Sequence, residues 1–216
     1  MKKEETREER TPQTVDVYIA ELPSGVPLGK VANATRREEI ANTRNEDSKR
    51  EKYFVWRLLE YALLHSFGLC GESLDLRKES YGGWSMEGIS ISLSHSKNAL
   101  AVALSREAVG VDIEHVHMPR AEGMAERVMT AEEFADYRSL RDEERTERFI
   151  ELWTAKEAMF KSRKEMYFTP CEMNTVGASI HTEHLTLSGE RYIFSVASAH
   201  LDGLRVFSMV DFIEKI

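Results

Sequence analysis

The 216-residue chain holds two cysteines, Cys70 and Cys171. Two thiols make neither a disulfide framework nor, alone, a tetrahedral zinc site, and the expectation is a reduced, cytoplasmic protein. No run approaches the ~18 apolar residues that a membrane-spanning helix needs. Residues 1–14 are rich in Lys, Glu and Arg and lack an apolar stretch, so they read as a frayed tail and not as a secretory or lipidation signal. A basic surplus is also missing. Twenty-nine Lys and Arg stand against 37 Asp and Glu, a net charge of −8. That argues against a general nucleic-acid binder but leaves room for a local basic pocket. There is no G-x-x-x-x-G-K-[ST] loop, no G-x-G-x-x-G after a strand and no G-x-S-x-G elbow, so the familiar nucleotide folds and the hydrolase nucleophile turn have no support.

What is present fits a chain with a sizeable core. Hydrophobic residues make up 42%, and at ~150 residues per domain the length suggests one to two domains. Alternation predicts a first strand at 15–20, then a Pro- and Gly-bearing loop at 22–29. A short charged helix is expected at 36–44. A longer one is expected at about 48–67, capped by Asn45 or Asp47 and closed by Gly68. A turn at 81–84 leads to strand 88–93, and residues 99–104 read as a buried strand or short helix. Strand 109–116 places Val109, Val111 and Ile113, and with them His115, on one face, and Asp112, Glu114 and Val116 on the other. Thr130 and Glu133 form a capping box that opens a helix through Leu140. The strongest helix pattern covers 143–162, and strands are expected at 175–180, 184–187, 191–199 and 204–210. The order gives an α+β fold of two similar halves, 15–108 and 109–216. A textural echo between ALAVALS near residue 100 and FSVASAH near residue 197 hints at duplication.

Three clusters carry chemistry. Asp112 and Glu114, two apart on a strand, share a face at ~7 Å and suit a hard divalent cation. Glu157 and Lys161 sit at i and i+4 on a helix, with Lys156 adjacent, which alone is most often a surface pair. Ser92-Leu93-Ser94-His95-Ser96 ends a strand with hydroxyls, an imidazole and free N–H groups, a plausible phosphate cradle or a plain strand-ending turn. The pairs His115/His117 and His181/His184 lack further ligands in sequence and read as incidental.

In chain order the clusters are S-L-S-H-S (92–96), V-G-V-D-I-E (109–114) and W-T-A-K-E-A-M-F-K (153–161). Together they resemble the 4′-phosphopantetheinyl transferase superfamily, and the length resembles its larger, two-lobed type. The resemblance implies two α/β lobes related by a pseudo-twofold. It also implies transfer of 4′-phosphopantetheine from coenzyme A to a serine of an apo acyl or peptidyl carrier protein, with release of 3′,5′-ADP. Asp112, Glu114 and Glu157 match the Mg²⁺ ligands, and Asp112, Glu157 and Lys161 the catalytic set, with Glu157 as base and Lys161 on the leaving group. Ser94, His95, Arg50, Lys156 and Lys161 match positions around the coenzyme. Lys30, Arg36 and Arg37 are looser matches for the 3′-phosphate site. The implied protein is a cytoplasmic monomer with no nucleic-acid or membrane partner.

Two departures stand out. The family's G-K-P turn before S-H-S is replaced by Tyr81-Gly82-Gly83-Trp84, with Lys78 as a possible substitute for its lysine. No glycine occurs in residues 162–168, where a glycine-containing loop usually follows the last motif. The missing glycine-lysine turn leaves as a rival a non-catalytic relative that binds coenzyme A or a carrier protein. A metal-dependent nucleotide hydrolase with the same acids is a further rival. A carrier-docking patch is expected at 118–129, where Met124, Val128 and Met129 alternate with Arg120 and Arg127, unless the methionines pack in the core.

Overall fold

Two 22-residue helices frame the molecule, and local chemistry sets their ends. Helix α2 (Glu46–Phe67) begins where the Asn45 side chain accepts the Ser48 N–H at 2.8 Å, and Glu46 and Asp47 favour its positive end. It stops at Gly68, whose φ of 69° closes the last turn. Helix α5 (Asp142–Arg163) opens with three acidic residues and ends at Lys164 in the left-handed region. Ahead of α2 lies α1 (Ala34–Ala41). Between β6 (Val109–His115) and α5 in the chain lie α3 (Met124–Val128) and α4 (Ala131–Ser139), the latter started by the expected Thr130–Glu133 capping box. The computed structural model describes residues 14–71, 74–117 and 123–209.

Strands β1 (Val15–Glu21), β2 (Arg77–Lys78), β3 (Trp84–Met86), β4 (Ile89–Ser96), β5 (Ala99–Ser105) and β9 (Leu204–Met209) form one sheet in the order β2-β3-β4-β5-β1-β9. Strands β6 (Val109–His115), β7 (Ile180–Leu187) and β8 (Glu190–Ser198) form a second, ordered β6-β8-β7. Alternation along β1 and β5 divides the larger sheet. Tyr18, Ala20, Leu100, Val102 and Leu104 pack with Phe54, Trp56, Leu58 and Leu59 of α2. Val15, Val17, Ile19, Ala101 and Ala103 face Val111, Ile113, Phe194 and Val196 of the smaller sheet. Helix α5 covers the outer face of β6 and β8. The result is a four-layer α+β stack: helix, sheet, sheet, helix.

The echoing segments near residues 100 and 197 lie in β5 and β8, each the middle of its neighbours. The division at 108/109 is not clean. Strand β9, from the C-terminal half, runs parallel beside β1. Arg205 there donates twice, at 2.7 Å, to buried Asp16. Strand β7 is one element where two strands were expected, and residues 170–172 form a 3₁₀ turn (Pro170–Glu172). A turn at Val176–Gly177, with Gly177 at φ 74° and the Ala178 N–H donating to the Thr175 carbonyl at 3.2 Å, replaces most of the extended run expected at 175–180. Among the described residues no helix is long and apolar enough to cross a membrane. The tail at 1–13, and Arg120 of the expected docking segment, lie outside the described residues.

Candidate active site

Glycine 110 decides how closely the last motif approaches the acidic strand. A Cβ there would lie 1.9 Å from the Ala158 carbonyl oxygen and 2.6 Å from the Ser162 nitrogen. Only hydrogen at this position lets α5 lie directly on β6. Alternation then aims Asp112 and Glu114 toward the helix that carries Glu157 and Lys161.

The other side of β6 is held by a row of hydroxyls. Ser90, Ser92, Ser94 and Ser96 alternate along β4 and accept the backbone N–H groups of Val109, Val111, Ile113 and His115, at 3.3, 2.9, 3.4 and 3.2 Å. A strand whose outer edge has no partner strand is thereby satisfied by side chains. Two of the serines also donate to the acids. Ser94 reaches Asp112 Oδ1 and Ser96 reaches Glu114 Oε2, both at 2.6 Å. Sequence reading took Ser94 as a phosphate ligand and missed the row. Its signal was the period-two serine in I-S-I-S-L-S-H-S (89–96).

Lys161 Nζ donates to Asp112 Oδ1 at 2.7 Å, to the Val111 carbonyl at 3.2 Å and to Ser94 Oγ at 3.3 Å. Asp112 is buried, and its second oxygen, Oδ2, has no hydrogen-bond partner. Burial, then the negative charge of Asp112, pushes the Glu114 carboxyl above its usual range. Burial, then Asp112 and with it Glu114, pushes Glu157 up to about 7 against the opposing pull of Lys161. Three carboxylates thus share one nearby ammonium. Among the described residues no three His, Cys, Asp or Glu side chains stand close enough together to hold a metal ion. The excess negative charge and the orphaned Oδ2 nonetheless fit a divalent cation, whose hard charge matches carboxylate oxygens.

Beside Lys161 opens a cavity of about 270 Å³. Arg36, Lys78, His95, Lys161 and Lys164 give it a basic wall, and the Gly82-Gly83 turn lines it. Lys78 lies 5.1 Å above the Trp84 ring and pairs with Glu39 at 2.9 Å. It therefore stands next to the turn that lacks a lysine of its own. His95 approaches Glu51 at 3.4 Å. Lys30 and Arg37 line a separate cavity of about 430 Å³ behind Trp56.

Two expected coenzyme contacts are placed elsewhere. Lys156 is fully buried and bonds Glu133 Oε2 (2.5 Å), the Met173 carbonyl (2.7 Å) and the Pro170 carbonyl (2.8 Å). The ammonium is sealed from solvent among these partners, so no phosphate can reach it, whereas Lys161 stays partly exposed. Arg50 donates to the carbonyls of Val26 (2.8 Å) and Pro23 and lies over the Phe54 ring. It pins the loop at 22–29 and does not line either of these cavities. The docking patch also changes. Val128 and Met129 are buried with Phe149, Ile150 and Leu152, because an amphipathic helix places its apolar side on the core.

Residues 108–202 match the family model of the 4′-phosphopantetheinyl transferase superfamily. A 4′-phosphopantetheinyl transferase of Bacillus subtilis, ffp, is 31% identical over 84 residues, 39% of this chain. The match spans 37% of that relative's length. Within the superfamily match fall Asp112, Glu114, Glu157 and Lys161, whereas Arg36, Lys78 and His95 lie before it.

Proposed function

We propose that this protein transfers 4′-phosphopantetheine from coenzyme A to a serine of an apo carrier protein. One observation carries the reading: Lys161 pairs with buried Asp112 at 2.7 Å at the edge of a basic cavity, and the charge of Asp112 helps to raise the carboxyls of Glu114 and Glu157. In the proposed step the serine oxygen bonds to the β-phosphorus, the phosphorus–oxygen bond to 3′,5′-ADP breaks, and the serine proton passes to Glu157. Lys161 stabilises the charge that gathers on the departing ADP oxygen. Asp112, Glu114 and Glu157 would hold Mg²⁺, which when bound neutralises pyrophosphate charge at the reacting phosphorus. Lys78 and His95 attract the phosphates of the coenzyme from the cavity wall.

The two sheet-and-helix units act as pseudo-equivalent lobes, with the coenzyme along the cavity where β4 of one meets α5 of the other. The protein works as a monomer in the cytoplasm and binds neither nucleic acid nor membrane. Lys78 beside the Gly82-Gly83 turn removes the motive for a non-catalytic relative, since a basic group stands where the turn lysine is missing. The test is mass spectrometry of an apo acyl carrier protein and an apo peptidyl carrier domain after incubation with coenzyme A, Mg²⁺ and this protein. Transfer appears as a phosphopantetheine adduct on the carrier serine. Release of 3′,5′-ADP without an adduct would establish the hydrolase rival instead.

A further inference from the structure

The chain leaving α5 turns an apolar pair toward solvent beside the basic cavity. Met166 is 58% exposed and Tyr167 84%. Their neighbours show that this is not a loosely held loop. Phe168 packs 5.6 Å from Trp153 and 5.1 Å from Phe160, measured between ring centres. Farther on, buried Lys156 binds the carbonyls of Pro170 and Met173. Glu133 completes the anchor by accepting from the hydroxyl and N–H of Thr175, at 2.7 and 3.3 Å. The exposed pair therefore sits between the end of α5 and an anchored segment.

Exposed large apolar side chains held in a fixed place mark an interaction surface more often than a random one. Tyr, Met and Arg are also the residue types enriched at interface centres. Arg163 and Lys164, both exposed, precede the pair in a chain whose net charge is −8, with Arg163 3.7 Å from Glu165. Lys164 and Glu165 line the basic cavity, so the patch borders the proposed reaction centre. Two exposed basic side chains beside an apolar pair favour an acidic partner with an apolar contact of its own.

We propose that Arg163, Met166 and Tyr167 dock the protein substrate: an acidic carrier surface that brings its serine to Glu157. This rests on the functional reading above and moves the docking face away from Val128 and Met129, which the core occupies. Tyr167→Asp, Met166→Asp and Arg163→Glu alter exposed side chains and should leave the fold intact. With apo acyl carrier protein as the probe, Tyr167→Asp and Met166→Asp should each raise the carrier KM about tenfold. They should leave kcat and coenzyme A affinity, measured by calorimetry, within twofold of wild type, as expected when uniform binding is lost. Added salt should raise the carrier KM in wild type and raise it less in Arg163→Glu. A carrier KM unchanged in both aspartate variants overturns the proposal. So does a fall in coenzyme A affinity, which would assign the pair to the coenzyme pocket. A wild type that binds coenzyme A but modifies no carrier removes the functional reading, and this surface with it. An active wild type with indifferent variants removes this surface alone.

Discussion

Helix α5 carries two lysines five residues apart that meet two carboxylates in opposite ways. Lys156 and Glu133 are both almost wholly buried, and each is surrounded by further partners: two carbonyls for the ammonium, and two N–H groups with one hydroxyl for the carboxylate. Lys161 and Asp112 lie as close, at 2.7 Å, but the lysine is partly exposed. One Asp112 oxygen is orphaned, and two more carboxylates crowd the pair. A satisfied buried pair resists change and locks the chain around it, whereas an unsatisfied one stores unfavourable electrostatics that a ligand can relieve. By this measure Lys156 builds and Lys161 reacts, although both stand in one motif.

The comparison breaks hardest at Asp112. Asp112→Asn should cut carrier modification on the order of a thousandfold, the scale of removing a charge-stabilising group from a preorganised site. Its melting temperature should stay near wild type, because Asp112 already carries an unmet oxygen. A protein that keeps more than a tenth of its transfer rate at saturating Mg²⁺ would place the reaction elsewhere.

Lys156→Met should show the reverse pattern. It leaves the Glu133 charge buried and should cost about 3–5 kcal/mol of stability. Converting both residues, Lys156→Met with Glu133→Leu, should recover much of that loss, because no lone charge remains. Urea unfolding of the two variants measures the difference, and equal losses would refute the satisfied-pair reading.

Gly110→Ala sits between the two cases. The added methyl collides with the α5 backbone, so the helix must move off β6, at an overpacking cost of about 1–3 kcal/mol. Because that shift separates Lys161 from Asp112, transfer should fall more steeply than stability. Comparing kcat with the unfolding free energy of the same preparation tests this. A proportionate loss would mean that the close approach serves the core alone.

The smallest effect concerns pH. Burial raises the Glu133 carboxyl, but the bonds from Lys156, Thr130 and Thr175 outweigh it and hold the group below its ordinary value. A lowered folded value adds stability above the unfolded carboxylate pKa of ~4.3, and that stability is lost as pH falls through the folded value. The stability gap between wild type and Glu133→Gln should therefore be full at neutral pH and narrow as pH drops below ~4.3. A gap constant from neutral to acidic pH would show that Glu133 acts by packing and not by charge.

The sequence by itself determined the elements and the chemical cast. Side-chain period placed Asp112 and Glu114 on one face of β6, helical spacing set Glu157 and Lys161 one turn apart, and the Thr130–Glu133 box fixed the start of α4. Each follows from local geometry, which a few neighbouring residues specify. Tertiary structure decided the partners. Whether Lys156 met a phosphate or Glu133 depended on a carboxylate 23 residues earlier in the chain. Whether Ser94 cradled an anion or closed the edge of β6 depended on two sheets meeting face to face. That Arg50 pins a loop, that Val128 and Met129 fill a core and that β9 returns beside β1 are likewise long-range outcomes. Periodicity tells which way a side chain points, and only packing tells what it meets there, because burial energies depend on surfaces brought together from distant parts of the chain.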